Sequence, residues 1–179
     1  MFAEQLDRDL YTDCAVQRDT TAADTITGLA HLNGVEARVR ADGFVLGNVT
    51  PSAGSATIAQ AGENVEVGLN FNPEITLMPL NTVVPVGGSG PNFLQKRRIV
   101  RVMAKVRNTL GLLVNGKVVG DRQFDVDNFD EAAEPVTQNI DVSITSNWDR
   151  KEDKLVTFSQ VDPLPLELLA VEVQLESEP

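Results

Sequence analysis

The residues that could carry acid–base or nucleophilic chemistry are few in this chain of 179 residues. His31 is the single histidine and Cys14 the single cysteine. A histidine relay needs a Ser or Cys nucleophile and an orienting acid, and the sequence contains no G-x-S-x-G nucleophile elbow. We therefore interpret His31 as a loop histidine. A lone cysteine excludes an internal disulfide and a cysteine-based metal cage.

An acidic stretch offers oxygen ligands that could hold Ca²⁺. Its members are Asp125, Asp127, Asp130, Glu131 and Glu134. The stretch lacks the central glycine and the terminal glutamate of an EF-hand loop, so we interpret 125–134 as a solvated acidic loop. Glycosidase-type carboxylate pairs are matched in space and not in sequence, and nothing here singles out a pair. The prediction is that the chain has no catalytic, cofactor-binding or metal-binding residue and no cofactor.

One basic concentration stands out: Lys96, Arg97, Arg98, Arg101, Lys105 and Arg107. Such residues could contact DNA phosphates or an acidic partner surface. Their period-2 spacing more simply predicts the polar face of one strand. Gly87-Gly88-Ser89-Gly90 is not followed by Gly-Lys-Ser/Thr, so it does not match a phosphate-binding loop.

Alternation of apolar and polar residues predicts β-strands over Val35–Ala41, Glu63–Phe71 and Arg98–Arg107. In the second of these, Val65, Val67, Leu69 and Phe71 are expected to face the core, and Glu66, Gly68 and Asn70 the other side. Asp42-Gly43 and Asn115-Gly116 predict two-residue hairpin turns. Further extended segments are predicted at Tyr11–Val16, Phe44–Leu46, Ser55–Ile58, Thr76–Pro79, Leu112–Val114, Lys117–Val119, Ile140–Ile144, Leu155–Gln160 and Leu166–Leu175.

The predicted fold is all-β, an antiparallel sandwich or barrel of about nine short strands with one short N-terminal helix. Phe2, Leu6 and Leu10 recur at helical spacing, which predicts that helix over Met1–Leu10. It opens without a capping residue, so we expect this chain to be the C-terminal part of a longer protein. Gln17–Asp24 is predicted as a polar connection. We expect one domain over 1–179, with a helical lead-in (1–10), a β-rich body (11–175) and an acidic tail (176–179).

The charge balance argues against a nucleic-acid binder. Acidic residues number 26 and basic residues 15, for a formal net charge of -11. Binding to nucleic acid would require Lys and Arg to neutralise phosphates. No apolar stretch approaches the roughly 18 residues of a membrane span, and the N-terminus lacks the pattern of a secretory signal.

Three segments, in order, resemble the C-terminal part of the tail nozzle proteins (tail tubular B-like, or tail stabilisation, proteins) of short-tailed bacteriophages. The first is Tyr11–Cys14 with Ile26–Gly34, continuing through the strand that ends at Ala41-Asp42-Gly43. The second is Gln95–Ile99. The third is Trp148-Asp149 followed by Val161–Val171, which contains Pro163-Leu164-Pro165. The similarity spans roughly Asp9 to Val173, with Cys14 where the family usually has Ser.

The resemblance implies a structural protein and no enzyme. Family members form a ring, usually of six copies, below the portal and adaptor, and DNA leaves the capsid through it. Partners would be further copies of the chain, the portal, the adaptor and other tail proteins, with DNA passing unbound. The location would be the virion tail, after assembly in the host cytoplasm. Ring closure needs head-to-tail contacts, and we expect isolated copies to associate weakly.

Two other readings remain open. A receptor- or carbohydrate-binding module of a tail fibre would usually display an aromatic platform, and here only Trp148 and Tyr11 join seven Phe. A hydrolytic virion enzyme would need an acid–base site that no motif indicates.

Overall fold

The described residues of the computed structural model are 10–78, 97–119, 131–144 and 155–177. They form eleven β-strands, with every strand pairing antiparallel, and one short 3₁₀ helix. The all-β prediction is confirmed, with eleven strands in these ranges against about nine predicted from alternation. The predicted helix lies outside them except for Leu10, and the choice between sandwich and barrel stays a prediction.

The strands build three sheets. The first has the order β1-β4-β2-β3, the second β5-β10-β7-β8 and the third β11-β6-β9. The strands are β1 (Asp13–Thr27), β2 (Ala37–Ala41), β3 (Phe44–Val49), β4 (Ser55–Leu69), β5 (Glu74–Thr76), β6 (Arg97–Thr109), β7 (Leu112–Val114), β8 (Lys117–Val119), β9 (Val136–Ser143), β10 (Thr157–Ser159) and β11 (Glu167–Ser177).

Where the sequence predicts one domain, contacts divide the chain into two compact units. Unit 1 comprises Met1–Asn72, Arg122–Glu134 and Val161–Pro165. Unit 2 comprises Pro73–Asp121, Pro135–Gln160 and Leu166–Pro179. Each unit is built from three separate stretches of chain and contains its own hydrophobic cluster.

Unit 1 contains the first sheet, whose apolar face forms the core with Ile26, Leu29, Val39, Val65 and Val67, all fully buried. The predicted alternation in β2 is confirmed at Ala37, Val39 and Ala41. The predicted hairpin between β2 and β3 is also confirmed, with positive φ at Asp42 (49°) and Gly43 (86°). A type I′ turn needs positive φ at both central residues.

Two strands of unit 1 are longer than predicted. Gln17–Asp24, predicted as a connection, lies within the 15-residue β1, and the two strands predicted in 55–71 are one 15-residue strand, β4. Threonine is β-branched and favours extended backbone, and pairing with β4 supplies backbone partners for the polar stretch. Register shifts between Asp19 and Thr25 absorb the irregularity. Val35 and Phe71, predicted to face the core, are exposed and outside the strands.

Unit 2 contains the other two sheets, and its cluster includes Val102, Val106, Leu112 and Phe158. The alternation predicted for β6 is confirmed, because Val102, Ala104 and Val106 are buried while Arg101, Lys105 and Arg107 are exposed. The predicted Asn115-Gly116 hairpin joins β7 to β8, with φ of 49° and 75°.

Several boundaries in unit 2 move by a few residues. The strand predicted at Thr76–Pro79 is found at Glu74–Thr76, and the one predicted at Leu155–Gln160 is Thr157–Ser159. β11 continues to Ser177, so Glu176, predicted to lie in the acidic tail, is paired with Arg98 on β6. Trp148 lies outside the described residues.

Phe158 and Ile75 provide a test of where the core of unit 2 lies. They are register partners on β10 and β5, yet Phe158 is 1% exposed and Ile75 47%. We expect Phe158→Ala to lower the free energy of unfolding by about 3–5 kcal/mol, through lost burial and a cavity. Ile75→Ala should cost less than about 1 kcal/mol. Urea unfolding measures both, and equal losses would contradict this placement of the core. If Phe158→Ala does not fold, Phe158→Leu should still cost more than Ile75→Ala.

Candidate functional site

His31 lies in the 3₁₀ helix Ala30–Leu32, within the segment predicted as a loop or tight turn. Its Nε2 donates a hydrogen bond to the carbonyl oxygen of Cys14 at 2.9 Å, since a carbonyl can only accept. Cys14 has φ of 52°, in the left-handed region that few side-chain-bearing residues adopt. The histidine therefore secures an irregular start of β1, which is a structural role.

The acidic loop is only partly described. Asp125, Asp127 and Asp130 lie outside the described residues, and Glu131 and Glu134 are exposed. Within the described ranges, no group of three or more His, Cys, Asp or Glu side chains could hold a metal ion. The glycine-rich stretch Gly87–Gly90 also lies outside the described residues.

Three arginines of the basic concentration each meet a carboxylate across the third sheet. Arg98 donates to Glu176 Oε2 from Nε at 2.8 Å and from Nη2 at 2.6 Å. The pairs Arg101–Asp141 and Arg107–Glu167 lie further along β6. These pairs join β6 to β11 on one side and to β9 on the other, as cross-strand charge pairs do. The arrangement supports the predicted polar strand face.

Asp141 raises the pKa of Arg101, first through the side-chain hydrogen bond and then through its negative charge, against a smaller opposing effect of desolvation. Because the pKa of Arg101 is raised in the folded protein, the stability that the Arg101–Asp141 pair contributes is fully present below the ordinary arginine pKa. It is lost only as the pH rises through the raised pKa. The guanidinium of Arg101 therefore stays charged around neutral pH.

A buried carboxylate on β4 is the feature that alternation alone placed wrongly. Glu66 is 2% exposed, although its position in β4 predicted the polar, outward side. Its Oε1 accepts three hydrogen bonds: from Tyr11 N at 2.8 Å, Thr12 N at 2.7 Å and Thr12 Oγ1 at 2.6 Å. We call Leu10, Tyr11 and Thr12 the N-terminal clasp. A buried charge is tolerated only when donors surround it, and the clasp supplies them.

Neighbouring residues shape the place where the clasp lies. A Cβ at Gly68 would come within 2.7 Å of the Asp13 carbonyl oxygen and would collide with Thr12, so only glycine leaves room for the chain. The Arg40 guanidinium carbon lies 4.7 Å from the centre of the Tyr11 ring, a cation–π contact. Arg40 Nη1 is 3.9 Å from Glu66 Oε2. We call Glu66, Gly68 and Arg40 the clasp seat.

A second segment attaches to the same sheet. Asp162 forms an ion pair with Arg38 of β2, and Asn70 Nδ2 donates to the Val161 carbonyl oxygen at 2.9 Å. Pro163 and Pro165, part of the resemblance to tail nozzle proteins, are buried in this segment. Both segments bind through charged or polar groups of the face that alternation predicted to meet water.

A glycine on that face is the sequence signal for the clasp seat. Gly68 lies two residues after Glu66 on the same side of β4, and an interior strand glycine often marks close approach of another backbone. The signal does not say which segment approaches. Arg101 and Arg107, by contrast, lie on a strand face as the sequence predicted, whereas His31, predicted in a loop, lies in a 3₁₀ helix.

Comparison with known proteins leaves the site to be interpreted from its own geometry. No protein-family model matches the chain, and no curated protein matches it significantly. In the described ranges, no helix has the length and apolar character needed to cross a membrane. The contacts above are those of a protein whose polar side chains join segments of its own chain.

Removing the Glu66 carboxylate tests its importance. We expect Glu66→Ala to lower the free energy of unfolding by about 3–5 kcal/mol, because buried donors of Tyr11 and Thr12 lose their acceptor and Arg40 its acid. Glu63→Ala, at an exposed position of the same strand, should change stability by less than about 0.5 kcal/mol. Urea unfolding measures both. Similar values for the two variants would show that Glu66 is not the anchor of the clasp.

The ion pairs of the third sheet should respond to salt. Arg101→Gln is expected to lower the urea midpoint at low ionic strength, and the loss should become smaller as NaCl is raised towards about 1 M, where the Debye length falls to ~3 Å. Lys105→Gln is the matched control, because Lys105 is exposed on the same strand and has no ion pair with the described residues. A loss that is independent of salt would contradict an electrostatic role for Arg101.

Proposed function

We propose that this chain is a structural component of the tail nozzle of a short-tailed bacteriophage and helps to form the tube through which DNA leaves. The observation that carries the proposal is the ordered resemblance from Asp9 to Val173. Its described residues occupy structural positions: Ile26, Leu29 and Leu32 are in the core of unit 1.

Other parts of the resemblance also fall on residues that hold backbone together. Asp42, in the Ala-Asp-Gly segment, accepts hydrogen bonds from the backbone N–H groups of Glu63 at 3.1 Å and Asn64 at 2.8 Å. The Pro-Leu-Pro segment follows Asp162, which pairs with Arg38. A scaffold protein is expected to share residues of this kind with its relatives, whereas an enzyme would share a reactive centre.

The net charge of the chain suits the wall of a channel through which DNA slides. A net charge of -11 repels phosphates and so opposes retention of DNA. Arg98, Arg101 and Arg107 pair with Glu176, Asp141 and Glu167, which lowers the positive potential that the strand offers to a phosphate backbone. The proposed partners are other copies in a ring, of six copies as is usual in the family that the chain resembles, together with the portal, adaptor and other tail proteins.

Imaging of virions tests the proposal directly. An antibody raised against this chain, applied to a tail or virion preparation in negative stain, is expected to label the narrow distal tube. Label on peripheral fibres would instead favour a receptor- or carbohydrate-binding module. If an immunoblot of denatured particles detects the chain but the antibody does not label intact particles, the epitope is buried. A peptide tag at the exposed turn Asn115-Gly116 then provides a second label. Virions without the chain would overturn the proposal.

A further inference from the structure

The N-terminal clasp is joined to β1 by an irregular piece of backbone. Cys14 has a left-handed φ of 52°, and the register between β1 and β4 shifts between Asp13 and Val16. The hydrogen bond from His31 Nε2 to the Cys14 carbonyl oxygen spans 2.9 Å and secures this conformation. A non-glycine residue in the left-handed region is strained, so Cys14 is a natural hinge between the clasp and the strand.

The clasp seat recognises features of an extended peptide. It accepts two successive backbone N–H groups and one hydroxyl at Glu66 Oε1, leaves space for the chain at Gly68, and presents the Arg40 cation to an aromatic ring. Glu66 Oε2 and Arg40 Nε are buried with no hydrogen-bond partner among the described residues, and Glu66 Oε2 lies 3.9 Å from Arg40 Nη1.

Charge decides which class of ligand suits the seat. The basic side chains near it, Arg38 and Arg40, are matched by the acidic Asp162 and Glu66. A balanced set of charges gives no net attraction for an anion or for DNA, whereas backbone N–H donors satisfy a buried carboxylate. The ligand that the seat fits is therefore a neutral, extended segment of the type Tyr-Thr.

We propose that the clasp seat also binds the Tyr11-Thr12 segment of a second copy of this chain, by exchange of the clasp about the hinge at Cys14. The contacts made by an exchanged clasp with the seat would be the same as those within one copy, and exchange would let Cys14 leave its strained conformation, with loss of the hydrogen bond from His31. Exchange of identical elements is a low-cost route to association. Every copy carries both a clasp and a seat. Two copies can therefore exchange clasps with each other, or each copy can give its clasp to the next in a head-to-tail series.

Disulfide trapping between two variants tests the exchange in the full-length chain. Asp13 and Leu69 are register partners at the hinge, so Asp13→Cys is placed in one variant and Leu69→Cys in another, both with Cys14→Ser. The two are mixed at high concentration under mild oxidation, with a tag on one. A disulfide-linked heterodimer is expected. One chain carrying both changes must first close its own disulfide, which shows that the pair is competent.

A matched pair beyond the hinge is the control. Thr27 and Ser55 are register partners at the other end of the same two strands. Exchange of the clasp alone leaves them within one copy, so Thr27→Cys mixed with Ser55→Cys should give only the background of random oxidation. Heterodimer from Asp13→Cys and Leu69→Cys at no more than this background, with the within-chain disulfide forming normally, would overturn the proposal.

Variants of the seat show whether heterodimer formation depends on it. Gly68→Ala places a methyl group where the clasp lies, and the heterodimer should fall to the level of the control pair. Glu63→Gln, outside the seat on the same strand, should leave it unchanged. If far-UV circular dichroism shows that Gly68→Ala is unfolded, Thr12→Val replaces it, because it removes the hydroxyl that donates to Glu66 at nearly constant shape. Unchanged heterodimer in the variant that folds, Gly68→Ala of the seat or Thr12→Val of the clasp, would also overturn the proposal.

Discussion

The polar face of the first sheet depends on one buried carboxylate. Glu66 lies near the C-terminal end of β4, and its backbone donors come from residues 54 and 55 positions earlier in the chain. The carboxylate needs hydrogen-bond donors, and the N–H groups of Tyr11 and Thr12 need an acceptor once they leave water, so each group satisfies the other. Gly68 completes the arrangement by leaving room for the chain. The polar side of the strand, which the sequence pattern predicts to face solvent, is therefore covered by the clasp.

Charge has a different role in the two units. In unit 1, Glu66 is enclosed and determines where a distant segment lies, since leaving it unpaired is costly. In unit 2, Arg98, Arg101 and Arg107 lie on the open face of a sheet whose other face is apolar, and exposed pairs of this kind stabilise weakly. There the apolar cluster around Phe158 carries the stability, while the charges pair neighbouring strands.

The polar side chains described above join segments of the chain to one another. His31 secures the start of β1, Asp42 secures β4, and the β6 arginines meet carboxylates on adjacent strands. An exchangeable clasp would add a way for such a scaffold to join copies of itself. This fits a protein that works by assembly, as proposed for the tail nozzle, because head-to-tail exchange closes into a ring when the rotation allows.

Local patterns in the sequence were sufficient for the all-β class, the buried side of β2 and β6, and both two-residue hairpins. Each of these depends on residues adjacent in the chain: alternation sets the face of a strand, and Asp-Gly or Asn-Gly supplies positive φ at a turn. The burial of Glu66 could not be predicted in this way, because it depends on which distant segment crosses the sheet. The length of β1 could not be predicted either, because Gln17–Asp24 is part of a strand only through its pairing with β4. Tertiary structure decided these features, because a backbone or a charge far away in sequence supplies the missing partner.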